Sequence, residues 1–66
     1  MREFDIVMSD GLRIPVSLPN AEDDGAVFRW VFRGMPYKVY GGRCDYLVNP
    51  DAIAYVTINK PAVPTR

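Results

Sequence analysis

The chain has 66 residues, a formal net charge of zero and 48% hydrophobic residues, a composition that predicts one small globular domain. It contains no apolar run near the ~20 residues that a membrane helix needs and no signal-peptide pattern, so contact with a membrane is not expected. With no histidine and a single cysteine, Cys44, it can form no internal disulfide, and neither a structural metal site nor a cofactor is expected. Because small secreted domains usually carry disulfides or metals, these features predict a cytoplasmic protein.

The predicted domain covers residues 1–60, and residues 61–66 form a proline-containing tail. The tail reads P-x-x-P-x-R, a pattern typical of polyproline-type ligands. The alternative is a terminus whose prolines keep the sheet from growing at its edge. Whether the tail is a ligand motif stays open.

A hairpin with its turn at residues 9–11 is the first predicted element. A three-residue loop with a left-handed glycine pairs Ile6 with Ile14 and brings the apolar residues of both strands to one face. A two-residue loop would pair Val7 with Ile14 and scatter them over both faces. Pro15 falls where its missing N–H points away from the first strand, so the second strand is expected to be a sheet edge.

The next segment, residues 18–25, carries three consecutive acids and a final glycine but shows no apolar periodicity. These features predict a solvated loop. One short helical turn within it is the alternative.

In residues 27–33, aromatic side chains alternate strictly with valine or arginine side chains, and Gly34 ends the run. A period of two predicts a strand. Glycine turns at residues 34–35 and 41–42 would extend this strand into a three-stranded meander. The predicted inward side chains of the meander are Phe28, Trp30, Phe32, Tyr37, Val39, Cys44 and Tyr46.

A turn at residues 49–52 and a strand at residues 53–59 complete the chain. The Asn-Pro-Asp sequence of the turn suits a type I or 3₁₀ conformation. The inward face of this strand stays open, because two alternating sets compete: Ala54, Val56 and Ile58 against Ile53, Tyr55 and Thr57. Five or six short antiparallel strands predict an all-β fold, either a small barrel or a rolled sheet of the SH3-like or Sm-like kind.

Enzymatic activity is not expected from these residues. Histidine, the usual acid–base group at neutral pH, is absent. Glu3 and Asp5 lie at strand spacing on one face, but so short a chain offers no deep cleft for a substrate. Cys44 is predicted to point inward beside Val39, where a thiol behaves as a small hydrophobe.

The predicted contact site is the outward face of the meander, where cations surround an exposed tyrosine and Leu47. Its residues are Arg29, Val31, Arg33, Lys38, Tyr40 and Arg43. Tyrosine and arginine are enriched at protein interfaces, which favours a protein partner. Nucleic acid, bound by stacking and phosphate contacts, is the alternative, although the neutral whole chain disfavours it. A solvated face, on which arginine stems simply cover the sheet, is the third interpretation.

The sequence therefore predicts a non-enzymatic binding protein that acts by contact with another macromolecule. Its size suits an accessory regulator, an inhibitor or a small assembly subunit, including those of phage or plasmid type. The oligomeric state stays open, and a homodimer through an edge strand is one option.

Overall fold

The computed structural model describes residues 2–59, so the predicted tail and its P-x-x-P-x-R pattern lie outside the described residues. The elements follow in the order β1 (Arg2–Met8), β2 (Arg13–Leu18), α1 (Asp24–Val31), β3 (Tyr37–Tyr40), β4 (Asp45–Val48), a 3₁₀ turn (Pro50–Ala52) and β5 (Ile53–Ile58). The described chain is mostly β and its sheets are antiparallel, as predicted. The prediction of a closed barrel is wrong, because the strands form two separate sheets.

The first sheet has the order β2-β1-β5, with β1 in the centre. Ile6 lies opposite Ile14, and Gly11 has a φ of 95°, the left-handed conformation that the three-residue loop requires. The Met8 N–H donates to the Leu12 carbonyl oxygen at 2.8 Å and closes the loop. The predicted register of the hairpin is confirmed, and β2 is an edge strand of this sheet among the described strands.

A β-bulge in β5 resolves the question of its inward face. Val7 lies opposite Tyr55 and Met8 lies opposite Ile53, so Ala54 has no partner on β1. The extra residue changes the phase of the alternation within the strand. The side chains that pack against the core are therefore Ile53, Val56 and Ile58, a combination of the two predicted sets.

The acidic segment at residues 18–25 is shorter as a loop than predicted, because its last acids begin a helix. The Asp23 side chain caps α1 by accepting a hydrogen bond from the Ala26 N–H at 2.8 Å. Arg2 of β1 fastens the segment to the sheet by donating to the Glu22 carbonyl oxygen at 2.8 Å. The Asp23 carboxylate and the Glu22 backbone thus have structural roles that a solvated loop would not give them.

The predicted strand at residues 27–33 and its turn at residues 34–35 are wrong, since α1 occupies most of this segment. Val27 and Val31, four residues apart on one side of the helix, are buried against the sheet. Phe28, predicted to point inward, is 62% exposed. The N-terminal cap and the burial of the two valines outweigh the β propensity of the aromatic residues.

The second sheet is the hairpin of β3 and β4. Tyr37 lies opposite Val48 and Val39 lies opposite Tyr46. The predicted two-residue turn at residues 41–42 would instead pair Val39 with Cys44, so the observed register is shifted by two residues from the predicted one. The shift arises because the loop spans residues 41–44 and not only the two glycines. A shift of two preserves the faces of a strand, so Tyr37 and Val39 are buried as predicted. Cys44, by contrast, is exposed, and its predicted inward position is wrong.

One hydrophobic core joins both sheets and the helix. Its buried members are Phe4, Ile6, Ile14, Ala21, Val27, Val31, Tyr37, Val39 and Val48. Within the described part of the chain, no helix is both long and apolar enough to cross a membrane.

Candidate interaction surface

The outward side of the β3–β4 hairpin and its loop carry Lys38, Tyr40, Arg43 and Leu47, which we name the hairpin surface. Along β3, burial alternates with exposure, so the inward Tyr37 and Val39 leave Lys38 and Tyr40 on the opposite face. Tyr40 is 78% exposed and Leu47 is 81% exposed. Two large apolar side chains thus stand in solvent on one small surface.

Charge and aromatic groups lie close together on the hairpin surface. The Lys38 ammonium nitrogen is 5.6 Å from the centroid of the Tyr40 ring, within the range of a cation–π contact. In the ladder, Lys38 lies opposite Leu47 and Tyr40 lies opposite Asp45. Arg43 adds a second cation from the exposed loop. The surface is therefore amphipathic, with cations outnumbering the one carboxylate in the ladder.

A cleft of about 550 Å³ adjoins the hairpin surface, between β2 of the first sheet and β3 of the second. Residues 15–17 of β2 and residues 38–42 of β3 and its loop line it, together with Trp30 of α1. Lys38 and Tyr40 belong to both the cleft and the hairpin surface. A partner seated on the hairpin could therefore insert a side chain between the two sheets.

Arg33, a predicted contact residue, is engaged within the protein. Its guanidinium carbon lies 4.7 Å from the Trp30 ring centroid and 4.2 Å from the Tyr37 ring centroid. Its Nε donates a hydrogen bond to the Trp30 carbonyl oxygen at 2.9 Å. Arg33 thus fastens the end of the helix to the hairpin.

Tyr37, on the inner face of the hairpin, makes a second contact between the hairpin and the end of the helix. Its hydroxyl donates to the Val31 carbonyl oxygen at 2.7 Å, in a buried position at the end of α1. Burial raises the pKa of Tyr37, and the nearby Arg33 charge partly opposes the effect. The strand β3, which carries Lys38 and Tyr40 on its outer face, is therefore held on its inner face by the hydrogen bond of Tyr37.

The structure separates the six predicted contact residues: three belong to the hairpin and its loop, one follows the helix and two lie on the helix. Lys38, Tyr40 and Arg43 lie on the hairpin surface, whereas Arg33 lies after the helix. The Arg29 side chain extends along α1 toward the N-terminal end of the helix. Its Nη1 lies beside Gly25, 3.3 Å from the position that a Cβ atom would occupy there. Val31 is completely buried, so its predicted outward position is wrong. The reason is the helix, which replaces the alternation of a strand with a period near four.

Two aromatic features were not predicted as part of a site. Phe28 and Phe32 are both exposed, and their ring centroids are 4.6 Å apart. Trp30, predicted to be a central core residue, is half-buried and lines the cleft. The spacing of four between Phe28 and Phe32 is the signal in the sequence that could have indicated an aromatic pair on a helix.

The groups considered for catalysis occupy structural positions or open surface. The Asp5 carboxylate accepts a hydrogen bond from Arg13 at 3.2 Å across the hairpin of β1 and β2. Cys44 lies in the exposed loop, and its hydrogen bond with Tyr46 raises the pKa of that tyrosine. Among residues 2–59, no group of three acids or cysteines is arranged to hold a metal ion.

Comparisons with known proteins assign the chain to no family. No protein-family model, no curated protein and no solved structure matches it.

Proposed function

We propose that this protein is a non-enzymatic binding protein whose hairpin surface contacts another protein. The observation that carries the proposal is the exposure of Tyr40 and Leu47, at 78% and 81%, beside two cations. Large apolar side chains grouped on one surface are typical of interaction sites, and tyrosine and arginine are frequent anchors there.

The geometry also indicates the chemistry of the partner. Tyr40 and Leu47 are diagonal neighbours in the ladder, so one apolar patch of the partner can cover both. Lys38 and Arg43 favour acidic groups at the rim of that patch. The cleft beside Tyr40 would accept a protruding apolar side chain. A protein with an apolar protrusion and an acidic rim fits this surface.

Nucleic acid is the second candidate, because Lys38, Arg43 and the Tyr40 ring could bind a phosphate and a stacked base. Asp45 lies opposite Tyr40 in the ladder, where it would repel a phosphate. Leu47 has no ring on which a base could stack. These two positions favour the protein partner.

The proposal extends to the biological role and the cellular compartment of the protein. An accessory regulator, inhibitor or assembly subunit, of phage or plasmid type, suits the length of the chain. The single cysteine favours a reducing cytoplasm. The SH3-like or Sm-like fold class, in an open form with the cleft between β2 and β3, is also proposed.

The experiment is an affinity capture from a lysate of the source cells, with and without nuclease, followed by titration of the purified partner. The double variant Tyr40→Ala with Leu47→Ala should weaken binding by about tenfold or more. The matched control is Tyr55→Ala with Leu12→Ala, the same residue types at exposed positions on β5 and in the β1–β2 loop. Loss of the partner in the control and its retention in the hairpin variant would contradict the proposed surface.

Salt dependence separates the two candidate partners. A nucleic acid held through phosphates should lose affinity steeply as salt rises, and nuclease should abolish its capture. A protein anchored on Tyr40 and Leu47 should survive nuclease and depend less on salt. Lys38→Glu with Arg43→Glu should slow association with an acidic protein partner while the fold is retained.

A further inference from the structure

The strand β5 has an open edge on the side away from β1, since no strand of residues 2–59 pairs with it there. The Met8 N–H bonds toward β2, and the Asn59 N–H donates to the Glu3 carbonyl oxygen at 2.9 Å. Successive residues of an antiparallel strand direct their backbone bonds to opposite sides. The N–H and C=O groups of Val56 and Ile58 therefore point to the open edge.

The other outer edge of this sheet, on β2, is protected against pairing. The same alternation directs the nitrogen of Pro15 to the outer side, where it offers no N–H. Arg13 adds a charge at the start of β2. The strand β5, in contrast, has no charged residue and no proline from Ile53 to Ile58. Charges, prolines and bulges are the usual means by which natural sheets block edge pairing, and the part of β5 beyond the bulge at Ala54, from Tyr55 to Ile58, has none of them.

Exposed apolar surface borders this same edge. Asp24, Val27 and Phe28 of α1 enclose a cavity of about 150 Å³ with the side chains of Val56 and Ile58. The Phe28 ring is 62% exposed and packs on Phe32. An added strand would thus meet unsatisfied backbone groups on the sheet and an aromatic wall on the helix.

We propose that β5 pairs in antiparallel fashion with β5 of a second copy of this chain. In the register that fits, Val56 lies opposite Ile58 of the second copy, and Thr57 lies opposite its own counterpart. This arrangement uses the outward backbone groups of Val56 and Ile58 in both chains, and it forms four hydrogen bonds. A second copy is the matching occupant because the edge is complementary to itself under a twofold axis and places no like charges opposite each other.

The twofold axis runs perpendicular to the sheet, so the helices of both copies lie on the same side. Phe28 of each copy then faces the other across the new junction, and the two aromatic walls cover each other. The outer edges of the six-stranded sheet are the two β2 strands, which Pro15 protects. Pairing therefore stops at the dimer. The dimer leaves the hairpin surface uninvolved and is independent of the partner proposed above.

The test is site-specific cross-linking in a Cys44→Ser background. Thr57→Cys should form a disulfide-linked dimer under mild oxidation, because Thr57 and its counterpart form a non-hydrogen-bonded pair, whose Cβ atoms approach to about 4.5 Å, within the reach of a disulfide. The control is Ser17→Cys on the protected edge, which should cross-link only by random collision. Equal rates for the two variants, with circular dichroism confirming that both are folded, would overturn the proposal.

Sedimentation of the unmodified full chain provides a second readout that needs no cysteine. The chain should show a concentration-dependent monomer–dimer equilibrium, and Phe28→Ser should raise its dissociation constant by about tenfold. Leu12→Ser, at an exposed position outside the junction, should leave the constant unchanged. A chain that stays monomeric at every concentration, or a Phe28→Ser dimer of unchanged affinity, would refute the β5 junction.

Discussion

The three-stranded sheet and the β3–β4 hairpin use their strands in different ways. The central strand β1 has a neighbour on each side, and its Phe4 and Ile6 are completely buried. The hairpin buries one face only, while Tyr40 and Leu47 on its other face stand in solvent. We therefore expect the sheet to carry most of the stability, whereas the outer face of the hairpin should contribute little to it.

The two regions are connected through Trp30 of the helix. Its ring lies 6.0 Å from the Phe4 ring of the sheet and 5.3 Å from the Tyr37 ring of the hairpin, in both cases edge to face. The Arg33 guanidinium also stacks on the Trp30 ring. The helix is thus the element through which the hairpin is positioned on the sheet.

The largest effect is expected from Phe4→Ala, which removes a completely buried ring from the central strand. Such substitutions cost about 3–5 kcal/mol. A domain this small has a free energy of unfolding of only about 5 kcal/mol, so the variant should be largely unfolded. Chemical denaturation followed by tryptophan fluorescence measures this. A variant that unfolds at the wild-type denaturant concentration would show that the sheet is not the main source of stability.

Trp30→Ala should have the second largest effect, about 2–3 kcal/mol, since the ring is only half-buried. Its specific consequence should be the loosening of the hairpin, because Tyr37 and Arg33 lose their shared ring. Amide hydrogen exchange should then accelerate more in β3 and β4 than in β1 and β2. Uniform acceleration across both regions would mean that Trp30 does not form the connection described here.

Tyr37→Phe should cost about 0.5–1.5 kcal/mol at neutral pH, because the buried hydrogen bond to Val31 is lost. The pKa of Tyr37 is raised in the folded chain, so its contribution is complete below pH 10, the usual pKa of tyrosine, and is lost as the pH rises above that value. Denaturation between pH 7 and pH 11 measures it. The difference between wild type and variant should shrink above pH 10, and a constant difference would contradict the assigned hydrogen bond.

The smallest effect is expected from Leu47→Ala on the hairpin surface. The side chain is 81% exposed, and substitutions at such positions stay within about 0.5 kcal/mol. Thermal unfolding should therefore be nearly unchanged, even if partner binding is lost. A large loss of stability would indicate that the outward face of the hairpin is covered within the folded protein.

Local turn chemistry made the first hairpin predictable. Gly11 permits one loop type, and that loop sets the pairing of Ile6 with Ile14. The loop of the second hairpin is two residues longer than predicted. Because the register shifts by an even number of residues, Lys38 and Tyr40 still lie on the outward face. Face assignments thus tolerate an error of two residues, and these two of the six predicted contact residues lie on the face where they were expected.

The helix was not predictable from alternation, because its aromatic and valine residues also suit a strand. Its start was marked in the sequence by Asp23 and by the spacing of four between Val27 and Val31, yet eight residues give little periodicity to detect. The phase of β5 depended on a bulge that pairing with β1 creates. No local sequence pattern at Ala54 indicates this bulge.

The unpaired Ala54 has a consequence for how the length of the chain can change. Because Ile53 and Val56 both face the core with two residues between them, removal of Ala54 would leave a regular in–out alternation along β5. A single-residue deletion here should therefore be better tolerated than one elsewhere in the sheet. The same deletion would straighten β5 and lengthen its flat, uncharged edge, which would increase the tendency to aggregate. At this position the extra residue interrupts the regular edge of β5.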